Sequence, residues 1–183
     1  FSHGHAEPIF HDDDFAARHN SELADVLGNF VNRALTFTGK YFDGKVPPRA
    51  RWTDTDQHAL DGILEAARRI DEDMRAFRIR AAAETAFLLS KEANRYFDEA
   101  QPWATRKNDP DRCATSLHVC CQYVRALCGL WAPFLPHTMQ TLWDALGTGT
   151  SLREDGWPTG ENWLPEGHPV TKPPILFAKF DED

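Results

Sequence analysis

Apolar residues spaced three and four positions apart recur through most of the 183-residue chain, in segments that end at proline or glycine. This spacing places them on one face of an α-helix, whereas a half-buried β-strand needs strict alternation. Proline removes a backbone donor and clashes with the preceding turn, so each proline marks a helix boundary. The pattern therefore predicts an all-α fold, a bundle of about five helices.

The ends of the first two helices are predicted from capping residues. One helix begins at the acidic residues 12–14, which favour a helix N-terminus, and ends near Gly44, which can adopt the left-handed conformation that closes a helix. The next begins at Asp54 or Thr55, both of which can cap a helix, and breaks near residues 77–80. The proline-rich stretch between the two helices is predicted to be a linker.

The other three helices have equally distinct boundaries. A third helix ends at Pro102, and a fourth begins at Asp109, a capping residue that precedes a proline in the first helical turn. The fourth helix runs to about Trp131, and a short fifth helix covers residues 138–146. The bundle is thus expected to span about residues 12–147.

The last part of the chain, residues 148–183, loses the helical period. It is rich in glycine and proline and carries isolated bulky side chains, and we expect an irregular tail that packs over the bundle. Residues 175–177 form a short apolar run that is typical of a strand, although no partner strand is evident. Residues 1–183 are predicted to form a single domain.

The four cysteines lie close together in the fourth helix, at Cys113, Cys120, Cys121 and Cys128. Their spacing lacks the paired short intervals of a zinc site. They share a helical stripe with leucine, valine and tryptophan, so we expect them to be small, reduced core residues. The histidines near the N-terminus (His3, His5 and His11) have no fixed scaffold, and no specific metal site is expected there. His118 and His137 are interpreted as helix-surface or capping residues.

The net charge of −8 argues against a protein that coats nucleic acid by bulk attraction. Between Arg33 and Arg51, however, five basic residues face one acid, a local balance of 5 − 1 = +4. A domain that contacts only a few bases tolerates an acidic body.

The chain contains no apolar run long enough to span a bilayer and no signal segment, so we expect a cytoplasmic protein that has no membrane partner. It begins at Phe1 rather than methionine, which favours a fragment of a longer polypeptide, with removal of a leader as the alternative.

Two short segments carry residue types suited to reading unpaired bases. Asn29 and Arg33 lie four residues apart on one helix face, where an amide and a guanidinium can bond to base edges. Trp103 follows Pro102 at a helix end, where its ring can present a stacking face. The alternatives are that Asn29 is merely solvated while Arg33 pairs with Asp25 or Glu22, and that Trp103 is a core residue.

These segments resemble the anticodon-binding domain of methionyl-tRNA synthetase. The resemblance extends over roughly residues 14–180 and includes the runs Lys40-Tyr41-Phe42-Asp43-Gly44-Lys45, Ala132-Pro133-Phe134-Leu135-Pro136, Leu142-Trp143 and Pro174-Ile175-Leu176-Phe177. It implies a helical bundle that docks on a catalytic domain and reads the CAU anticodon loop of methionine tRNAs. It also implies that Asn29, Arg33 and Trp103 are the principal anticodon-reading residues, with Pro102 supporting the tryptophan.

No catalytic motif is present in the chain. It has neither a glycine-rich phosphate loop nor the two short adenylation signatures of the family, commonly written HIGH and KMSKS, which are expected upstream of Phe1. The resemblance implies that ATP and methionine bind the catalytic domain of the parent ligase, so no cofactor is expected in this fragment. Without that domain we expect the fragment to be inactive alone.

Two other functions remain open from the sequence. The equivalent domain of an isoleucine, valine, leucine or cysteine synthetase shares this bundle, although Asn29, Arg33 and Trp103 together favour methionine. A helical protein-interaction module without an RNA role is the second alternative, and the acidic net charge favours it.

Overall fold

A computed structural model describes residues 19–179 of the chain, with side chains from residue 22 onward. A π-helical segment, His19–Gly28, continues directly into the first α-helix. In chain order the α-helices are α1 (Asn29–Phe42), α2 (Asp54–Arg75), α3 (Ile79–Ala100), α4 (Pro102–Asn108), α5 (Pro110–Trp131), α6 (Pro136–Ala145) and α7 (Leu152–Asp155). The prediction of an all-α fold is confirmed. The predicted start of the first helix, at residues 12–14, lies outside the described residues.

Helix α5 is the centre of the bundle. It packs against all six other α-helices, and every residue from 113 to 131 is buried. The four cysteines are buried free thiols, as predicted, but α5 has no single apolar stripe because neighbours surround it on every side. Burial raises the pKa of Cys121 to about 11 and that of Cys128 to about 12, so these thiols stay protonated at neutral pH.

The buried protonated cysteines lead to a prediction about metal and disulfide dependence. We expect the thermal unfolding temperature of the chain to be unchanged by EDTA and by a thiol reductant. Differential scanning calorimetry with and without each reagent measures this. A fall of several degrees with EDTA would show that a metal ion contributes to folding.

Helix ends differ from the prediction at several points. Thr53, rather than Asp54 or Thr55, precedes α2, because the carboxylate of Asp56 reaches back to accept bonds from the Thr53 backbone and hydroxyl at 2.8 and 2.9 Å. Helix α1 is closed by Asp43, which is left-handed at φ 54°, and Gly44 follows at φ 69°. The short fifth helix starts at Pro136, not at residue 138, because proline suits a first helical turn.

Asp56 also belongs to a buried ion pair that joins three helices. Arg112 of α5 donates two bonds of 2.6 Å to its carboxylate, and the hydroxyl of Tyr96 in α3 donates a third. Burial alone would raise the pKa of Asp56, but the bonds from Arg112, Tyr96 and Thr53 together outweigh it and lower that pKa. The carboxylate therefore remains charged although its residue is fully buried.

The linker after α1 and the tail after α6 lie together over α5. Val46 donates its backbone N–H to His168 O at 2.9 Å, and an isolated antiparallel bridge joins Lys45 to Pro169. Gln122 of α5 exchanges two side-chain bonds, of 2.9 and 2.8 Å, with the backbone of Leu164. The tail is therefore fixed to the bundle by backbone bonds as well as by the predicted apolar contacts.

The tail differs from the sequence prediction at two places. It contains the one-turn helix α7, whose end lies so close to α5 that a Cβ atom on Gly129 would meet Gly156 O at 1.8 Å. Arg125 lies beside this contact and donates to the carbonyls of Gly156, at 2.8 Å, and Asp155. Residues 175–177 form no strand, and Phe177 instead packs its ring on Gly28.

His118 is a correction to the prediction of a surface or cap residue. Its side chain is buried, Nδ1 donates to Pro47 O at 2.8 Å, and Nε2 accepts from Arg49 Nε at 3.2 Å. Burial and the Arg49 charge lower the pKa of His118, which keeps the imidazole neutral. The histidine therefore holds the linker onto α5.

Candidate nucleic-acid interface

Arg33 lies where α1 packs against α3. Just before α1, the side-chain amide of Asn94 in α3 donates to Val26 O of the π-helical segment at 2.9 Å, and it also donates to Ser90 O of its own helix at 3.1 Å. In this arrangement Arg33 Nη2 lies 2.6 Å from the Asp98 carboxylate of α3. The pairing with Asp25 or Glu22 considered from the sequence is therefore not formed, since packing places an acid 65 residues away closer to the guanidinium.

The guanidinium of Arg33 also lies over aromatic rings. Its Cζ atom is 4.3 Å from the centroid of the Phe97 ring and 5.9 Å from that of Trp103. A guanidinium over a ring face gains a cation–π attraction of roughly 0.5–1 kcal/mol at an exposed site. This contact fixes the plane of the guanidinium while its side chain remains about a quarter exposed.

Trp103 lies in the first turn of α4 rather than in a loop beyond α3. Gln101 ends α3 in the left-handed conformation at φ 44°, and buried Pro102 then starts α4, so the chain turns sharply before the tryptophan. The ring is 5.8 Å from Phe97 and 6.4 Å from Phe37, measured between centroids. With 40% of its surface exposed, Trp103 is not the fully buried core residue that the sequence alternative proposed.

Arg33, Phe37, Phe97 and Trp103 together form a continuous surface that we name the aromatic ledge. Side-chain packing holds the ledge in place. Phe97 is buried beneath it, and the Phe37 ring contacts the Phe97 ring edge-on with 5.5 Å between their centroids. The exposed part of the Trp103 ring and the guanidinium of Arg33 face outward from this base. The structure thus brings Arg33 and Trp103, two of the predicted site residues, together, and the buried Pro102 directly precedes the tryptophan.

Tyr41 and Arg106 extend the ledge and were not identified from the sequence. The Arg106 guanidinium lies 4.1 Å from the centroid of the Tyr41 ring and donates to the Tyr41 carbonyl at 3.2 Å. Lys40 and Lys107 are exposed nearby in the sequence. Arg106 lies three residues after Trp103. Recognition from the sequence that a helix begins at Pro102 would therefore have placed both side chains on one helix face.

Asn29 occupies a different part of the surface. It lines a groove between the start of α1 and residues 172–179 of the tail. The groove has a volume of about 670 Å³. Asn29 is one helical turn from Arg33, so the groove lies beside the ledge.

Residues 19–179 contain no cluster of three or more side chains able to hold a metal ion. His3, His5 and His11 lie outside the described residues. None of the described helices is long and apolar enough to cross a membrane.

Comparison with known proteins places this chain beside ligases of one kind. Residues 46–183 match the family model described as the anticodon-binding domain of methionyl tRNA ligase. The chain is 42% identical over 170 residues to the methionine–tRNA ligase of Pyrococcus abyssi, covering 93% of this chain and 23% of that protein. It is 38% identical over 182 residues to that of Salinibacter ruber, covering 92% of this chain and 26% of that protein.

A solved structure shows the same relationship. The apo methionyl-tRNA synthetase of Mycobacterium tuberculosis superposes with a TM-score of 0.86 at 28% sequence identity, over 95% of this chain and 36% of that one. The chain thus spans about a quarter of the length of the relatives from Pyrococcus and Salinibacter.

Proposed function

Because the chain belongs to the family of methionyl-tRNA ligase anticodon-binding domains, we propose that it reads the CAU anticodon loop of methionine tRNAs. In this proposal Trp103 stacks on one anticodon base, while Arg33 and Asn29 bond to the edges of the splayed bases. The parent enzyme, whose catalytic domain is the partner in cis and binds ATP and methionine, then attaches methionine to the tRNA. The fragment itself needs no cofactor to bind RNA.

The observation that carries the proposal is the partly exposed Trp103 ring beside the Arg33 guanidinium. Stacking of a base on an aromatic ring contributes ~1–3 kcal/mol and tolerates any base, because every base has a π-face. Sequence preference must then come from hydrogen bonds to base edges. The ledge supplies both kinds of group within one small surface.

Arg33 can change partner on binding. Its ion pair with Asp98 is at the surface, where such pairs contribute only about 0–1 kcal/mol. Its contact with Phe97 does not depend on that pair, so the guanidinium plane stays oriented when a base edge displaces the carboxylate. A base whose edge offers no acceptor leaves Arg33 with Asp98, and discrimination follows from this difference in bonding.

The first experiment replaces the ledge residues in the parent ligase. Trp103→Ala is expected to lower the efficiency of tRNA charging by roughly 5- to 150-fold, because it removes a stacking platform of ~1–3 kcal/mol. Arg33→Ala should cost a similar amount and also reduce discrimination at one anticodon base. Methionine-dependent pyrophosphate exchange, which reports adenylation without tRNA, should be unchanged in both.

Phe77→Ala is the matched control, since Phe77 is 88% exposed and precedes α3, whereas Trp103 follows it. A 22-residue helix is about 33 Å long, so the control removes an aromatic ring at the far end of α3. Normal charging by stable ledge variants would contradict the proposal. Equal affinity for a CAU stem-loop and a scrambled one would contradict CAU reading, and failure to bind either RNA would favour the interaction module.

A further inference from the structure

We propose that the groove beside α1 is a separate pocket for one unstacked nucleotide adjoining those that the aromatic ledge reads. The proposal rests on the function proposed above and adds to it a second binding surface, built from the tail. Asn29 lines this groove one helical turn from Arg33 of the ledge, and so lies where the two surfaces meet. The residues that would distinguish the pocket from the ledge are Asn32, Lys172 and Ile175.

The groove has the size and rigidity of a preformed site. Its volume of about 670 Å³ lies within the range of roughly 300–1,000 Å³ that is usual for small-molecule sites. Phe177 holds the tail wall in place, because its ring lies against Gly28. A Cβ atom added to Gly28 would lie 3.2 Å from the Phe177 ring. At one end of this wall the Lys179 ammonium lies 2.5 Å from the Asp25 carboxylate, in an exposed ion pair.

The helix wall of the groove carries two amides suited to a base edge. Asn29 and Asn32 are three residues apart on α1, and both line the groove. Neither side chain makes a hydrogen bond within the part of the chain that the structure describes. Each amide presents both donors and an acceptor, which is the combination that the edges of unpaired bases require.

The tail wall supplies a charge and an apolar surface. Lys172 is exposed and forms no ion pair with any residue between 19 and 179, in contrast to Lys179, so its ammonium is available to a phosphate. Ile175 is 87% exposed and follows Pro174, which is also exposed. These two side chains offer an apolar face against which a base can lie.

The position of the groove relative to the ledge fits consecutive nucleotides of one strand. Arg33 of the ledge and Asn29 of the groove are four residues apart on α1, which corresponds to about 6 Å along the helix axis. A strand that places one base on Trp103 can therefore direct a neighbouring nucleotide into the groove. One RNA strand can therefore supply the nucleotides for both the ledge and the groove.

The test uses CAU anticodon stem-loops that carry 2-aminopurine at a single loop position, one RNA for each position. With the wild-type chain we expect a change in fluorescence at the triplet and at one flanking position. Lys172→Ala and Ile175→Ala should each weaken binding roughly 5- to 10-fold, or about 1 kcal/mol. They should also remove the fluorescence change at the flanking position alone.

Lys172→Ala has a further signature that loss of folding would not produce. Removing one phosphate contact to a single strand reduces the slope of log affinity against log salt by ~0.7. Arg153→Ala is the matched control, because it removes an exposed cation from α7, which packs on α5, and it should leave affinity and slope unchanged. Ile175→Ala, at an exposed position, should not alter the unfolding temperature.

The outcomes separate this inference from the function on which it rests. If the wild-type chain fails to bind the CAU stem-loop at all, both proposals fall. If it binds and Trp103→Ala weakens binding, but the two tail variants bind like wild type with every fluorescence change retained, the groove is not a nucleotide pocket and the ledge remains. Loss of the flanking signal alone in the tail variants establishes the pocket.

Discussion

Asp56→Ala is expected to lower the free energy of unfolding by about 3–5 kcal/mol, because it leaves Arg112 without its charged partner. The Arg112 side chain is only 18% exposed, and alanine removes the acceptor of two 2.6 Å bonds together with that of the Tyr96 hydroxyl. Urea unfolding followed by circular dichroism measures the change. Asp61→Ala, which removes an exposed carboxylate from the same helix, should cost no more than about 0.5 kcal/mol.

The same ion pair gives stability a defined pH dependence. The pKa of Asp56 is lower in the folded chain than its ordinary value, so its contribution is complete above the unfolded value of about 3.9. The contribution is lost as the pH falls through the lowered folded pKa. The wild-type chain should therefore lose more stability than Asp56→Ala on acidification below about pH 4. Parallel curves for the two proteins would show that folding does not lower the pKa of Asp56.

Gly129→Ala is expected to destabilise the fold by about 3 kcal/mol, near the upper end for overpacked sites. The added Cβ would lie 1.8 Å from Gly156 O, which is backbone and cannot move aside as a side chain can. Separation of α7 from α5 would also break the bond of 2.8 Å from Arg125 to Gly156 O. A buried arginine whose pKa is already lowered to about 10 by burial would then lose an acceptor.

Gly62→Ala is the control for this substitution. Gly62 lies within α2, is exposed, and has no neighbouring atom within 4 Å of the place that an added Cβ would occupy. Alanine there should stabilise the chain by roughly 0.5–1 kcal/mol, because glycine loses more backbone entropy on helix formation. Thermal unfolding of the two variants should thus shift in opposite directions. Equal stability of Gly129→Ala and wild type would contradict the close approach of α5 and α7.

Both substitutions also bear on the candidate site. Tyr96, held by Asp56, directly precedes Phe97, the buried base of the aromatic ledge. Loss of the ion pair should therefore disturb the ledge, whereas Gly129 lies on the part of α5 that faces the tail. At temperatures where both variants remain folded, we expect Asp56→Ala to weaken stem-loop binding more than Gly129→Ala.

Local signals in the sequence determined the helical class and several helix boundaries. Asp109 caps α5 through a side-chain bond to Arg112 N, and Pro110 occupies the first turn, as their residue types require. The apolar spacing around the cysteines predicted their burial. These features depend on residues within a few positions of each other, which is why a single sequence suffices to predict them.

Tertiary packing alone decided which distant residues meet. Arg33 pairs with Asp98 rather than with Asp25, which instead pairs with Lys179 of the tail. His118 is buried because the linker crosses α5, and a further helix begins at Pro102 directly after α3 ends. No local spacing encodes these partners, since each results from the way whole helices pack. The residues of the proposed reading surface were therefore predictable individually, but its division into a ledge and a groove was not.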